Sequence, residues 1–251
     1  MSVTVFYGII IFLYGIVIGS FLNVCIYRIP KGESIAKARS HCMNCGYQLR
    51  WYDLIPLFSY IFLGGKCRKC NQKISIQYPL IEGLNGALYL LIYTMYGVSI
   101  TTLLYCLLFS ALIVISVIDF RTFIIPDGIV IFILALGLIR VITDYADWPK
   151  YAIGLLSVSV PLELIRFATQ GRGMGGGDVK LMAACGLLLG WKLTILALIL
   201  GCIIGSIVHL IRMRVTKADH VLALGPYLAI GLMIATLVGE RMIQWYFGVL
   251  I

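Results

Sequence analysis

Apolar and polar positions in this chain come in long blocks rather than in short periods. Stretches of about 20 mostly apolar residues, the length that crosses a bilayer core, follow one another with brief polar turns between them. The first runs from Val5 to Tyr27, and further spans are expected near 80–97, 100–119, 123–142, 150–167, 180–190, 193–211 and 221–247, about eight passes in all. None of these blocks alternates residue by residue as a barrel strand would, so the helix is the element that can satisfy the backbone in lipid. The expected fold is an all-α, polytopic transmembrane helical bundle. The 180–190 block is short for a span at about 1.5 Å per residue, and reads as a half-helix or part of a re-entrant hairpin.

Composition agrees with this pattern. Of 251 residues, 61% are hydrophobic and 12% charged, with a mean hydropathy of +1.00, well beyond an ordinary water-soluble domain. The first block is too long for the core of a cleaved signal and ends in basic residues rather than a small-residue cleavage site, so it is expected to persist as a span. A net charge of +9 raises nucleic acid as a partner, but the placement of the charge points to a membrane instead. Between Arg28 and Lys73, nine Lys and Arg stand against Glu33 and Asp53 alone, which places this segment in the cytoplasm and the N-terminus outside. Arg121, Arg166, Arg172, Lys180, Arg212, Arg214 and Lys217 then also fall inside, 16 of the 20 basic residues together. Three regions result: a first span over 1–27, a cytoplasmic loop over 28–79 and a transmembrane body over 80–251.

Four of the eight cysteines form Cys42-x2-Cys45 and Cys67-x2-Cys70, with 21 residues between the pairs. Two residues between ligands let one turn present both sulfurs to a tetrahedral ion, so the expectation is one zinc held by Cys42, Cys45, Cys67 and Cys70. Two disulfides are the competing reading, disfavoured by a reducing compartment. A site closed by four sulfurs has no open position for hydrolysis, so its role is structural. Cys25, Cys106, Cys185 and Cys202 lie in apolar blocks and read as small buried hydrophobes. His41 adjoins Cys42 as a spare ligand, while His209 and His220 are placed at polar boundaries.

Ionisable groups in lipid-embedded segments are costly and mark function. Asp119 ends the apolar run Leu112–Ile118, and Asp178 follows Gly173-Met174-Gly175-Gly176-Gly177 at the start of the short sixth block. Two carboxylates brought together share a proton, so that one activates water while the other protonates the substrate; this is the chemistry of an aspartyl protease. Gly175 and Gly177 permit close approach by an extended substrate, with Lys180 beside them. The glycines do not fit a phosphate cradle, because Asp178-Val179-Lys180 follows where Lys-Ser/Thr is required. Asp127, in Ile125-Pro126-Asp127-Gly128, is the rival catalytic candidate, although Asp between Pro and Gly reads better as a turn and helix cap. Glu82 and Glu163 either line the site or pair with basic residues. Asp144 and Asp147 read as a solvated outer loop.

Taken together these motifs resemble the bacterial type IV prepilin peptidases, which are also N-methyltransferases. The likeness is carried by Gly19-Ser20-Phe21-Leu22-Asn23-Val24 with Arg28 and Pro30, by the four cysteines, by Trp51-Tyr52-Asp53-Leu54-Ile55-Pro56, and by Tyr78-Pro79 with Glu82. It continues through Ile118-Asp119, Pro126-Asp127, Gly175-Gly176-Gly177-Asp178-Val179-Lys180 and Gly225-Pro226-Tyr227. Met43 departs from the pattern, since many relatives carry Pro there. The resemblance implies that Asp119 and Asp178 are the catalytic pair of a GxGD-type intramembrane protease in the bacterial cytoplasmic membrane. It implies cleavage of the basic leader of prepilins or pseudopilins at the cytoplasmic face, then methylation of the new N-terminus from S-adenosylmethionine, with the 28–79 loop associated with methyl transfer. No methyl-donor fingerprint is visible in the residues themselves. Two other classes compete: a transporter using the aspartates as proton or cation ligands, which lacks repeated broken helices in matching halves, and a non-enzymatic zinc scaffold, which leaves the aspartates unexplained.

Overall fold

The computed structural model describes residues 3–37, 40–171, 173–216 and 222–249. Arg172, Lys217 and His220, which figure in the charge and boundary readings above, lie outside the described residues. The chain divides into two compact units between Val114 and Ile115. The first holds α1 (Val3–Arg28), α2 (Phe58–Phe62), α3 (Gln77–Tyr96) and the start of α4 (Ile100–Thr122). The second holds the end of α4 with α5 (Asp127–Thr143), α6 (Trp148–Ser157), α7 (Ser159–Ala168), α8 (Gly176–Leu189), α9 (Trp191–Thr216) and α10 (Gly225–Val249). The described residues form no β-strand beyond two isolated bridges, His41 with Gln48 and Lys66 with Lys73.

Among the described residues, five segments are long and apolar enough to cross a membrane: Thr4–Lys31, Ile100–Thr122, Tyr145–Ala168, Trp191–Val215 and Gly225–Gly248. Of the other expected spans, α5 has 17 residues and α8 has 14, while the 20-residue α3 carries Gln77, Glu82 and Asn85. The span expected near 150–167 is two helices, broken at Val158. Pro161 has no amide to donate to Ser157 and its ring crowds that carbonyl, which accounts for the interruption.

In the first unit, α1 and α3 approach until backbone meets backbone. A Cβ on Gly15 would lie 2.7 Å from Gly86 Cα, and one on Gly19 would lie 2.7 Å from Glu82 Cα. Where lipid removes the hydrophobic drive between helices, such close packing and a few buried hydrogen bonds hold them. Asn85 Nδ2 donates to Gly15 O at 2.7 Å, Asn23 Nδ2 to Gly19 O at 3.3 Å, and Ser110 Oγ to Asn85 Oδ1 at 2.9 Å.

In the second unit α8 is the buried element. Val179, Leu181, Met182 and the run Ala184–Leu189 are all enclosed, by α5, α6, α7, α9 and α10. The helix is apolar all round, as burial on every side requires. It stops at Gly190, whose φ of +81° only glycine adopts readily. A Cβ on Gly186 would sit 2.1 Å from Gly154 O, so α6 and α8 cross in direct backbone contact.

Candidate active site

The two aspartates expected to act together line one cavity of about 640 Å³ in the second unit. Asp119 sits near the end of α4 and is 5% exposed, whereas Asp178 in the first turn of α8 is half-buried. The charge of Asp119 bears on Asp178. Each carboxylate also meets a helix N-terminus, where amides lack partners and the dipole favours negative charge. The Gly225 amide, first in α10, donates to Asp119 Oδ2 at 3.0 Å. Asp178 is the third residue of α8 and reaches back to the amide of Gly175, the residue before the helix.

The glycines around the pair are a steric requirement. A Cβ on Gly175 would lie 2.8 Å from Asp178 Oδ2, one on Gly177 would lie 2.9 Å from Ile125 Cβ, and one on Gly225 would lie 2.6 Å from Asp119 Oδ2. Gly175 and Gly177 were candidates from sequence. Gly225 was visible only as part of a shared motif, because nothing local marks a glycine 106 residues away as the donor to Asp119.

Asp127 lines the same cavity but is not a cap. Its side chain makes no capping hydrogen bond to α5, and instead accepts from Lys180 Nζ at 2.8 Å. The reason is position: as the first residue of α5 it follows Pro126, which occupies the capping site, so its carboxylate projects into the cavity mouth toward α8. Both partners are exposed, 66% and 58% at their side chains, so the pair contributes at most about 1 kcal/mol. Glu163, also in the lining, takes the pairing alternative and forms a two-pronged ion pair with Arg166 on α7. Glu82 belongs to the first unit and accepts from the Leu57 amide at 2.8 Å. Asp144, expected in a solvated loop, is bound by Arg140 and the Tyr151 hydroxyl.

The four loop cysteines converge within the first unit, with their sulfurs all within 4.8 Å of one another. Two knuckles of the same design present them. In one, Gly46 N–H donates to Cys42 O and Cys42 N–H to Tyr47 O, each 2.9 Å; in the other, Asn71 N–H donates to Cys67 O and Cys67 N–H to Gln72 O, again 2.9 Å each. The corresponding turn residues Gly46 and Asn71 both have positive φ, a conformation those two types tolerate best. Across the knuckles Cys42 Sγ lies 3.8 Å from Cys70 Sγ and Cys45 Sγ lies 4.0 Å from Cys67 Sγ. These are not disulfides, and they match the roughly 3.8 Å between sulfurs that tetrahedral zinc imposes at about 2.3 Å per bond. The Gln72 amide and Asn44 side chain hold the Cys70 thiol down to about 6. Amides of Cys45 and Asn44 also lower Cys42. Against the Tyr47 amide, desolvation and the sulfurs of Cys70, Cys42 and Cys67 push Cys45 up to about 11, so a cation is needed before all four can ionise together. His41 stands outside the four-sulfur set. The knuckles are clamped to the segment before α2 by Asp53, which is buried and accepts from Arg68 Nε at 2.9 Å.

Comparison with known proteins identifies the family. A family model described as the bacterial peptidase A24 N-terminal domain matches residues 13–96, and one described as the type IV leader peptidase family matches residues 106–210. Proteins named prepilin leader peptidase/N-methyltransferase are similar over nearly the whole chain. The one from Bacillus subtilis is 33% identical over 241 residues, covering 94% of this chain and 96% of its own. That from Pseudomonas putida is 32% identical over 258 residues, covering 90% and 89%, and that from Pseudomonas aeruginosa is 32% identical over 264 residues, covering 93% and 91%. No solved structure matches the chain. The helical multi-pass fold, the four-cysteine loop and the near full-length similarity lead to one conclusion: this chain belongs to the type IV leader peptidase family.

Proposed function

We propose that the chain removes the basic leader peptide of type IV prepilins or pseudopilins with Asp119 and Asp178 as an aspartyl dyad, and then N-methylates the new N-terminus. The observation that carries the peptidase reading is the convergence of both carboxylates on one glycine-walled cavity. The pair shares one proton. The ionised member takes a proton from a water held between them as that water attacks the scissile carbonyl. The protonated member donates to the carbonyl oxygen and the amine departs with a proton returned through the dyad. Gly225 N–H fixes one oxygen of Asp119, which leaves the other oriented for the transfer. Gly175 and Gly177 let an extended peptide lie against the α8 N-terminus, while Lys180 and Asp127 brace the cavity mouth.

The active site belongs at the cytoplasmic face of an eight-pass bundle in the bacterial cytoplasmic membrane, with the 28–79 loop on the same side and the peptidase body over 80–251. In that loop Cys42, Cys45, Cys67 and Cys70 fit a structural zinc, which would hold the two knuckles together. S-adenosylmethionine supplies the methyl group from its sulfonium centre; we assign it no residues. The test is reconstitution in liposomes with a prepilin, followed by mass spectrometry of the product N-terminus. A shortened and methylated product is expected. Unprocessed prepilin under conditions where the protein is correctly inserted would overturn the reading, and a cleaved, unmethylated product would remove its second half.

A further inference from the structure

The loop segment from Arg50 to Ile76 is unusual in what it leaves uncovered. Trp51 is 77% exposed, Ile61 71% and Phe62 84%, and Phe58 and Ile76 are exposed as well. Among them stand the exposed cations Arg50, Lys66, Arg68, Lys69 and Lys73. The segment contains one acid, Asp53, and that carboxylate is buried against Arg68. Large apolar side chains displayed beside an excess of positive charge are the composition of a surface that lies in an anionic bilayer interface, aromatic rings at the headgroup level and cations above them.

A second, independent observation sets the depth. Leu57, just before α2, has φ +60° and ψ −53°, and Phe58 N–H donates to Pro56 O at 2.7 Å. This is a γ-turn of the strained hand, rare for a residue with a side chain. It is held by Glu82, whose carboxylate accepts the Leu57 amide at 2.8 Å. Glu82 is five residues into α3, which places the tether roughly 7.5 Å along that helix at about 1.5 Å per residue. Interfacial segments bury their apolar faces to about 5–10 Å, the range in which the tether falls when α3 enters the bilayer from its first residue. Leu80 and Leu84, on either side of Glu82 in sequence, are exposed too. The Glu82 tether therefore fastens the start of α2 to α3.

The geometry points to α2 with Trp51 and Ile76 as an interfacial anchor that docks the cysteine loop onto an anionic lipid surface, with Glu82 as the tether that sets its depth. The inference is separate from the peptidase reading and rests on α3 entering the bilayer. It is tested with the full chain in vesicles, using variants whose only tryptophan is Trp51 (Trp148→Phe, Trp191→Phe, Trp245→Phe) and lipids brominated high or low on the acyl chain. In vesicles rich in phosphatidylglycerol, Trp51 emission should be blue-shifted, shielded from acrylamide and quenched most by shallow bromines. Phe58→Ser with Phe62→Ser should return it to the aqueous quencher. Hydroxyl-radical oxidation of Trp51 in the unaltered protein, read by mass spectrometry, should be several-fold slower in those vesicles than in phosphatidylcholine alone. Full acrylamide access in anionic vesicles would overturn the proposal. So would shielding from acrylamide and bromine alike, because a protein surface would then be the cover. A parallel variant with Trp51→Phe and Leu84→Trp reports α3 by itself. If it is quenched while Trp51 is not, the anchor alone fails; if neither is quenched, the span assigned to α3 fails with it.

Discussion

Asp119 and Gly225 are joined by one hydrogen bond, 3.0 Å from backbone nitrogen to Oδ2, across 106 residues of sequence. The contact places a carboxylate from α4 against the unpartnered first amide of α10, and it leaves no room for a side chain on the donor. The proposed catalytic acid is thereby positioned by backbone, which cannot change rotamer.

Gly225→Ala therefore reports on positioning. Its methyl would come 2.6 Å from Asp119 Oδ2, so the carboxylate must move. Cleavage should fall by about 10- to 100-fold, mostly in kcat, while the protein still accumulates in the membrane. Steady-state kinetics on a reconstituted prepilin decide it; unchanged kcat would show that Asp119 needs no such support.

Asp119→Asn and Asp178→Asn should each abolish leader cleavage, by roughly 1,000-fold or more, and the double variant should be no worse than either one. Each change keeps shape but removes a proton site. Residual cleavage at near-normal rate in both single variants would dispose of the dyad.

Asp127→Asn separates the rival. Its ion pair with Lys180 is exposed and worth about 0.2–1 kcal/mol, so cleavage should drop only severalfold and Lys180→Met should resemble it. A dead Asp127→Asn beside an active Asp119→Asn would exchange their roles.

Freshly purified protein should carry one zinc per chain, measured by elemental analysis, and Cys67→Ser should lose it. Loss of the metal should loosen the loop and lower methylation more than cleavage, because the sulfurs and the aspartates are held by different units of the chain. Equal loss of both activities would contradict that separation.

Glu82→Ala should open the loop to protease. The Leu57 amide loses its acceptor, costing about 1–3 kcal/mol, while the strained γ-turn remains. Adding Leu57→Gly relieves the strain and should restore part of the resistance; no recovery would mean that the turn is not what Glu82 holds.

Blocks of hydrophobicity were enough to read an all-helical fold, though not a count of eight spans, and isolated carboxylates in apolar surroundings were enough to single out Asp119 and Asp178, which line one cavity. Both signals are local and strong, since charge and backbone polarity are heavily penalised in lipid. The cysteine spacing was equally legible because ligand geometry dictates it. What escaped notice depends on partners distant in sequence. Asp127 looked like a cap from its neighbours Pro126 and Gly128, yet Lys180, 53 residues on, claims its carboxylate. The interruption at Val158 was hidden because Pro161 sits in an otherwise continuous apolar run. Leu57 has nothing in its type to announce a positive φ, and Glu82, which accepts its amide, lies 25 residues further on.

The crossing of Gly154 and Gly186 gives the molecule a point of mechanical intolerance. A methyl on Gly154 would lie 2.2 Å from Gly186 O, and neither helix has a flexible side chain there that could yield. Any substitution must slide α8 bodily, and Asp178 rides on the same rod, about 12 Å from the crossing at 1.5 Å per residue. Loss-of-function alleles should therefore gather at two glycines set apart from the cavity, in a protein that still inserts and accumulates, and inheritance will treat them as though they were part of the chemistry.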